Sequence, residues 1–273
     1  MEMNEIRDHW DSLAKKHGLD LKSTTKTPTI KQLEISALAR AISKTIAVAQ
    51  TRRILEVGCG NGHNIFALSR IFPNCYFQGL DYSEEMIKMA NIIKNDSRCK
   101  NVEFNIADVL ALSKSSQIEN HYDLVFTDRL LINLNSWQIQ QKGLIQLLSR
   151  VKNGGYLLII ENFTEAYGNQ NYLRKLIGLQ SRIPDSYNNF IDEAKLERFA
   201  CDELGLQLVS VENFGSMHDL LLYVLLPHVN SGEVIYDHPL MESVTLLLEK
   251  VPKKFVNDFG NFGQNKLYLF EKS

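Results

Sequence analysis

The chain has 273 residues, 44% hydrophobic and 23% charged, long enough to bury about 70–75% of its unfolded surface without disulfide or metal staples. Its 30 basic and 32 acidic residues leave a net charge of -2, which excludes a generally basic nucleic-acid or anionic-membrane surface but not a local basic pocket. The longest apolar run, Leu220 to Leu226, is far short of the roughly 20 residues that cross a bilayer.

Met1 to Gln50 reads as helical apart from the polar stretch Ser23 to Thr29. Met1 to Asp20 mixes acids, bases and histidine with no apolar core, so no secretory signal is expected and the cytoplasm is the expected location. Arg53 to Val57 (RILEV) is a buried strand, and His63 to Phe72 a helix stopped by Pro73. Cys75 to Leu80 is a second strand, followed by a helix from Ser83 with Glu84 and Glu85 in its first turn, where the helix dipole favours acids. Asn101 to Ile106 and Tyr122 to Thr127 are the third and fourth strands, and Ser136 caps a helix to about Arg150. Asn153-Gly154-Gly155 reads as a turn before a fifth strand, Tyr156 to Glu161. A helix from Asp192 to Leu204 ends at Gly205, with a sixth strand at Leu206 to Val211 and a terminal one at Lys266 to Phe270. Such alternation of nearly all-apolar strands with helices makes the fold α/β, a parallel sheet covered on both faces. Two stretches break the rhythm, Asn162 to Ile191 and Gly215 to Gly263, the second with a helix at Leu240 to Lys250; with the N-terminal segment they are expected over the carboxyl edge of the sheet. The cysteines at 59, 75, 99 and 201 fit neither CxxC nor a zinc spacing and read as reduced thiols.

The most informative segment is Ile54 to Asn64, ILEVGCGNGHN, in which a strand ends, three glycines alternate and a helix begins. Glycines there let the backbone bend tightly and approach a ligand outside the strand ends. The dinucleotide fingerprint GxGxxG would need glycine where His63 stands, and GxxxxGK is absent. Glu56, just before the turn, would repel a pyrophosphate and suits a ligand bearing positive charge.

This segment resembles motif I of the class I S-adenosylmethionine-dependent methyltransferases, (I/L)(D/E)xGxGxG. Asp81 in GLDYS, Asp108 in NIADVL and the run NGGYLLIIE, Asn153 to Glu161, stand in the family's order at the strand ends. The resemblance covers about Arg52 to Phe214 with the terminal strand. It implies a Rossmann-like, seven-stranded, mostly parallel sheet in one domain over 1–273. That domain divides into a helical cap (1–50), a cofactor-binding core (52–161), two substrate-lid insertions (162–191 and 215–263) and a terminal strand (266–271). It implies S-adenosylmethionine as cofactor and S-adenosylhomocysteine as product. Glu56 would balance the sulfonium and ammonium charges, and Gly58, Cys59, Gly60, Gly62 and Asn64 would line the methionine part. Asp81 would accept from the ribose hydroxyls, Tyr82 and Met86 would flank the adenine, and Asp108 with the Val109 N–H would meet its edge; Thr127 completes the cofactor set. Plain alternatives are a helix cap for Asp81 and Asp108 and core packing for Met86.

The fourth strand runs into TDRLLINLNSW, Thr127 to Trp137, which lacks the Asn/Asp-Pro-Pro-Tyr/Phe signature of amino-methylating nucleic-acid enzymes and resembles small-molecule members of the superfamily. Arg129 is the sharpest catalytic and substrate-binding candidate, because a guanidinium binds carboxylate or phosphate through two parallel bonds; an ion pair with Asp128 or Glu161 is the alternative. Glu161 at the end of the fifth strand is the other catalytic candidate, orienting or deprotonating an acceptor hydroxyl, with a structural hydrogen bond as its alternative. Asn162, Arg174 and Asn188 complete the substrate set, within an insertion whose Tyr167, Arg182 and Tyr187 suit a lid over a polar molecule. Trp10 and Thr24 to Lys31 are placed to cover the cofactor, and His63 and His218 read as capping or core residues. Only Asp128 stands where magnesium-dependent relatives cluster carboxylates, so no metal is expected. The implied function is methyl transfer by in-line displacement to O or N of a small polar metabolite, anionic ones included. An RNA or protein methyltransferase and a non-catalytic cofactor-binding protein are the alternatives. No nucleic-acid or membrane partner is expected, and monomer and homodimer are equally open.

Overall fold

The computed structural model describes residues 3–45, 52–97, 99–114, 121–252 and 255–273. The helical reading of 1–2 and 46–50 therefore lies outside the described residues. Seven strands form one sheet in the order β3-β2-β1-β4-β5-β7-β6. They are β1 Arg53–Val57, β2 Tyr76–Asp81, β3 Val102–Ile106, β4 Tyr122–Asp128, β5 Val151–Asn162, β6 Leu206–Glu212 and β7 Asn265–Lys272. β1 to β5 pair in parallel, and β7 is inserted antiparallel to both β5 and β6. The strand order reverses between β1 and β4, the point where open α/β sheets bind ligands.

Period-two alternation explains the layers. Ile54, Phe126, Leu158 and Ile160 point to one face, packing on Leu33, Leu38 and Ile42 of α2 (Pro28–Thr45) and Ile65 and Leu68 of α3 (His63–Ile71). Leu55, Val125, Leu157 and Ile159 point to the other, against Leu144 and Leu147 of α5 (Trp137–Leu148) and Leu196 of α7 (Glu193–Arg198). Each buried aliphatic side chain contributes about 1.5–3 kcal/mol over its exposed state. α4 (Glu84–Ser97) covers β2 and β3, and α1 (Met3–His17) crosses α4. α6 (Thr164–Leu176) lies in the first insertion, and α8 (Ser216–Leu220), α9 (Leu226–Val229) and α10 (Pro239–Lys250) in the second. Among the described residues no helix is long and apolar enough to cross a membrane.

Two local readings are corrected. Asn153-Gly154-Gly155 is no turn between elements; it is a bulge inside β5, where the register with β4 jumps between Tyr122 and Leu124, and Gly154 takes φ 70°. The helix expected over Asp192 to Leu204 is α-helical only to Arg198. It widens into a π-turn over Phe199–Glu203 before Gly205, at φ 69°, stops it. Ser136 caps α5 as its hydroxyl chemistry requires, accepting from Ile139 N.

Candidate active site

The glycine turn after β1 folds back on β2: the Gly58 and Cys59 N–H groups both donate to the Leu80 carbonyl, at 2.7 and 2.9 Å. Gly58 and Gly60 hold φ 77° and 52°, and a Cβ on either would meet Leu130 at 2.9 Å or Thr24 at 2.8 Å, so neither position tolerates a side chain. Asp81, at the tip of β2, ties the turn to the next helix. One carboxylate oxygen accepts from Gly60 N (2.8 Å) and the other from Ser83 N (2.9 Å). Burial raises its pKa against the pull of the Ser83, Gly60 and Tyr82 backbone N–H groups. Asp108, after β3, accepts from Leu110 N at 2.8 Å.

Beneath the turn lies a buried charge cluster. Lys31 of α2 reaches Asp128 at 2.5 Å and Glu34 at 2.6 Å, and Arg129 lies 3.1 Å from Glu34 and 3.6 Å from Asp128. Asn64, in the first turn of α3, donates to Glu56 (2.7 Å) and Asp128 (3.0 Å), joining the tips of β1 and β4. Burial works against the charge on Asp128, but Lys31 and Arg129 outweigh it and hold the carboxyl below the usual range. Among the described residues no cation lies within ion-pair distance of Glu56, and burial pushes it up to about 8. Its Oε2 is buried without a hydrogen-bond partner.

Above the cluster is a cavity of about 970 Å³. Its walls come from the N-terminal segment (Trp10, Thr24 to Thr27, Lys31), the strand tips and the two insertions. Among the predicted cofactor residues, Glu56, Gly58, Cys59, Gly60, Asn64, Asp81, Tyr82, Met86, Asp108 and Val109 all line it. So do Arg129, Asn162 and Asn188 of the predicted substrate set. The buried oxygens Asn64 Oδ1, Tyr82 Oη, Asn133 Oδ1, Asn162 Oδ1 and Tyr167 Oη, all of cavity-lining residues, have no protein partner.

Four predicted residues lie outside the cavity. Gly62, at φ 84°, faces Phe104 and Phe66, so it starts α3 and packs it. Thr127 is buried with its hydroxyl donating to Glu161 at 3.1 Å. Glu161 is 0% exposed, and its oxygens accept from the backbone of Leu130 (3.1 Å), Leu131 (2.8 Å) and Ile132 (3.2 Å). Those bonds hold the turn that carries Arg129, which stands in the left-handed region at φ 57°. Burial pushes Glu161 up to about 8, opposed by those same donors. Glu161 is thus a turn-building residue, not a base facing the cavity.

Arg174 is 5% exposed and points into the insertion itself, donating to the carbonyls of Gln180 (2.7 Å) and Tyr223. The Tyr223 carbonyl is free because the residue four positions on is Pro227, which has no N–H; the chain there opens into a π-turn over Leu221–Leu225. His218 is buried between Thr29 (2.9 Å) and Asp219 (2.9 Å).

Sequence reasoning named Lys31 only as a cover for the cofactor and missed Glu34, its partner in the charge cluster. The signal was present in α2: Glu34 falls on the stripe of Ile30, Ala37, Leu38 and Ala41, where a charged residue is buried and needs a partner. It also missed Asn61, whose side chain donates to Ser23 Oγ (2.8 Å) and clasps the glycine turn to the N-terminal segment.

The strand order, with its antiparallel β7, and the glycine turn at the switch point define a Rossmann-like α/β fold of the class I methyltransferase type. A family model described as a methyltransferase domain matches residues 50–195, and the chain belongs to that family, within the class I S-adenosylmethionine-dependent methyltransferase superfamily. Over 115 residues the chain is 33% identical to a malonyl-[acyl-carrier protein] O-methyltransferase of Bacillus cereus, covering 42% of this chain and 39% of that one. A malonyl-[acyl-carrier protein] O-methyltransferase 2 of Ilyobacter polytropus is 31% identical over 153 residues, 55% and 53% of the two chains. The chain thus spans about half or less of the length of these two relatives. Among solved structures, the magnesium protoporphyrin IX methyltransferase of Synechocystis with bound SAM superposes with TM-score 0.59 at 13% identity, covering 99% of this chain and 97% of that one. That likeness shows the fold.

Proposed function

We propose that this chain transfers the methyl group of S-adenosylmethionine to an oxygen or nitrogen of a small polar metabolite held in the same cavity. The observation that carries this reading is the continuity of one cavity of about 970 Å³, from Gly58, Asp81 and Asp108 at one end to Asn162, Tyr167, Arg182 and Tyr223 at the other. That is the upper end of the roughly 300–1,000 Å³ typical of ligand pockets, and it suits two molecules end to end. The malonyl-[acyl-carrier protein] relatives bear names of O-methyltransferases and favour an oxygen acceptor.

The residues present fit the cofactor. Once Glu56 ionises, Glu34, Glu56 and Asp128 exceed Lys31 and Arg129 by one negative charge, and Glu56 Oε2 lacks a partner. A ligand bearing ammonium and sulfonium groups supplies the cation that this ionised form needs. The Asp81 carboxylate lines the cavity and can accept from a diol, and Tyr82, Met86 and Val109 offer a slot beside it for a flat ring. S-adenosylmethionine brings an electrophilic methyl carbon when bound. The chain's task is to hold the acceptor in line with it; such alignment lowers a barrier by roughly 7–11 kcal/mol. Walls from the N-terminal segment, the 182–190 stretch and Tyr223 favour a small molecule over an RNA or protein chain.

The test is a calorimetric titration with S-adenosylhomocysteine, followed by incubation with methyl-labelled S-adenosylmethionine and fractionated cell extract. Binding and a labelled small-molecule product are expected. Binding without any labelled product would make the chain a cofactor-binding protein without turnover, and absence of binding would remove the reading altogether.

A further inference from the structure

Setting aside the exposed Lys16, Lys22 and Lys26, the cations that line the cavity divide into two kinds. Lys31 and Arg129 are already neutralised by Glu34 and Asp128. Arg182 is not: among the described residues no carboxylate lies within ion-pair distance of it. Its Nη1 donates instead to two neutral oxygens, Gln170 Oε1 (2.6 Å) and Gln264 Oε1 (3.1 Å). The guanidinium is clamped between two rings, 3.5 Å from the Tyr223 centroid and 4.9 Å from that of Tyr167. A second cation, Arg174, lies close enough to feel the charge of Arg182 and also has no carboxylate partner among the described residues. Its guanidinium is spent on the Gln180 and Tyr223 carbonyls, so it positions the loop before Arg182 and the ring beneath it. Beside these two positive charges the Tyr167 hydroxyl is buried, lines the cavity and has no hydrogen-bond partner. An uncompensated guanidinium held rigid by aromatic faces is costly to build unless something anionic completes it.

Resting on the methyltransferase reading, we infer that Arg182 and Tyr167 form an anion subsite which holds a carboxylate or phosphoryl group of the acceptor molecule, at the end of the cavity away from Asp81. The guanidinium's remaining N–H groups and the Tyr167 O–H donate to the anion's oxygens, and the Tyr223 face fixes the plane of the fork. The subsite stands in place of Arg129, whose charge is paired, and of Arg174, whose N–H groups the fold already occupies.

The test uses the full chain saturated with S-adenosylhomocysteine, titrated at constant ionic strength with succinate, with inorganic phosphate and with uncharged succinamide. Saturable binding of at least one anion, and none of succinamide, is expected; the tighter anion identifies carboxylate or phosphoryl recognition. Arg182→Gln and Tyr167→Phe should each weaken that anion at least tenfold and about threefold respectively, while Arg182→Lys recovers part of the loss. S-adenosylhomocysteine affinity and the circular dichroism spectrum should stay unchanged in all three. Equal binding of anion and succinamide by the wild type, or wild-type anion affinity in Arg182→Gln, would overturn the subsite. Failure of the wild type to bind S-adenosylhomocysteine would instead overturn the methyltransferase reading, and the anion titration repeated without cofactor reads the subsite separately.

Discussion

The two ends of the cavity are assembled in different ways. The end over β1 to β3 takes Glu56, Gly58, Gly60, Asp81 and Asp108 from strand tips and the turns just after them, so each is placed by the strand that precedes it. The rest is assembled from distant segments: at the seam Lys31 meets Asp128 97 positions away, and at the other end Arg182 meets Gln264 82 positions away and Arg174 meets Tyr223 49 positions away. A parallel sheet delivers neighbouring strand tips to one edge whatever the loops contain. The far end needs the N-terminal segment and both insertions to arrive together. The contrast predicts that substitutions at the strand tips change ligand affinity, whereas those at the seam between the two ends change the stability of the fold.

The largest effect is expected at that seam. Lys31→Met removes one cation from a buried cluster and leaves Glu34 and Asp128 with Arg129 alone. Losing one partner of a buried ion pair costs about 3–5 kcal/mol, so the urea midpoint should fall steeply with little change in the slope of the transition. A loss below about 1 kcal/mol, the worth of an exposed pair, would mean that water reaches the cluster and that the seam is no different from the surface.

Asp81→Ala sharpens the other half of the contrast. It should weaken S-adenosylhomocysteine by about 1.5–3 kcal/mol, the scale of hydrogen bonds to a charged group, when read by calorimetry. Unchanged affinity with the fold intact would take Asp81 out of the site.

The same contrast explains what the sequence disclosed. Strand positions follow from apolar runs bounded by glycine and proline, and Glu56, Asp81 and Asp108 are read as strand-tip acids because the strands are read first. Asn153 to Gly155 looked like a connecting turn because glycines mark turns and bulges alike; only the pairing with β4 separates the two. Glu161 and Arg174 looked functional because charged residues near a strand end or in a polar insertion are exposed in most contexts. Whether a carboxylate meets a substrate or three backbone N–H groups depends on how the 129–132 turn folds, and periodicity carries no information about that. Arg182 was legible as a polar residue of the insertion, but its freedom from acids is a tertiary fact.

Glu56 gives a pH test of the strand-tip end. Its carboxyl is raised to about 8, so below that pH the empty site holds a proton there. A cationic ligand stabilises the ionised form, and binding must release that proton. Cofactor affinity should therefore rise with pH toward 8, by as much as about 1.4 kcal/mol per pH unit for one proton. Titrations in buffers of different ionisation enthalpy count the protons released. Glu56→Gln should bind more weakly and lose this rise, and a variant that kept the wild-type pH profile would assign the proton to another group.

The smallest expected change in turnover comes from Glu161→Gln, and its smallness is the informative outcome. The amide keeps the oxygen that accepts from Thr127, Leu130 and Leu131, and gives up the acceptor that meets Ile132. Losing one such bond should lower folding stability by about 1–3 kcal/mol. Because Glu161 faces the turn and not the cavity, kcat on an identified acceptor should change by no more than about 0.7 kcal/mol in barrier, roughly threefold. A general base behaves otherwise: its removal typically costs about 10²–10⁴ in rate and abolishes the basic limb of the pH profile. A loss of that size in a stably folded Glu161→Gln would require the carboxylate to leave the backbone of residues 130–132 and turn toward the cavity during the reaction. The same variant thus decides whether the Arg129 turn is a fixed wall between the two ends of the cavity or a moving part of the catalytic cycle.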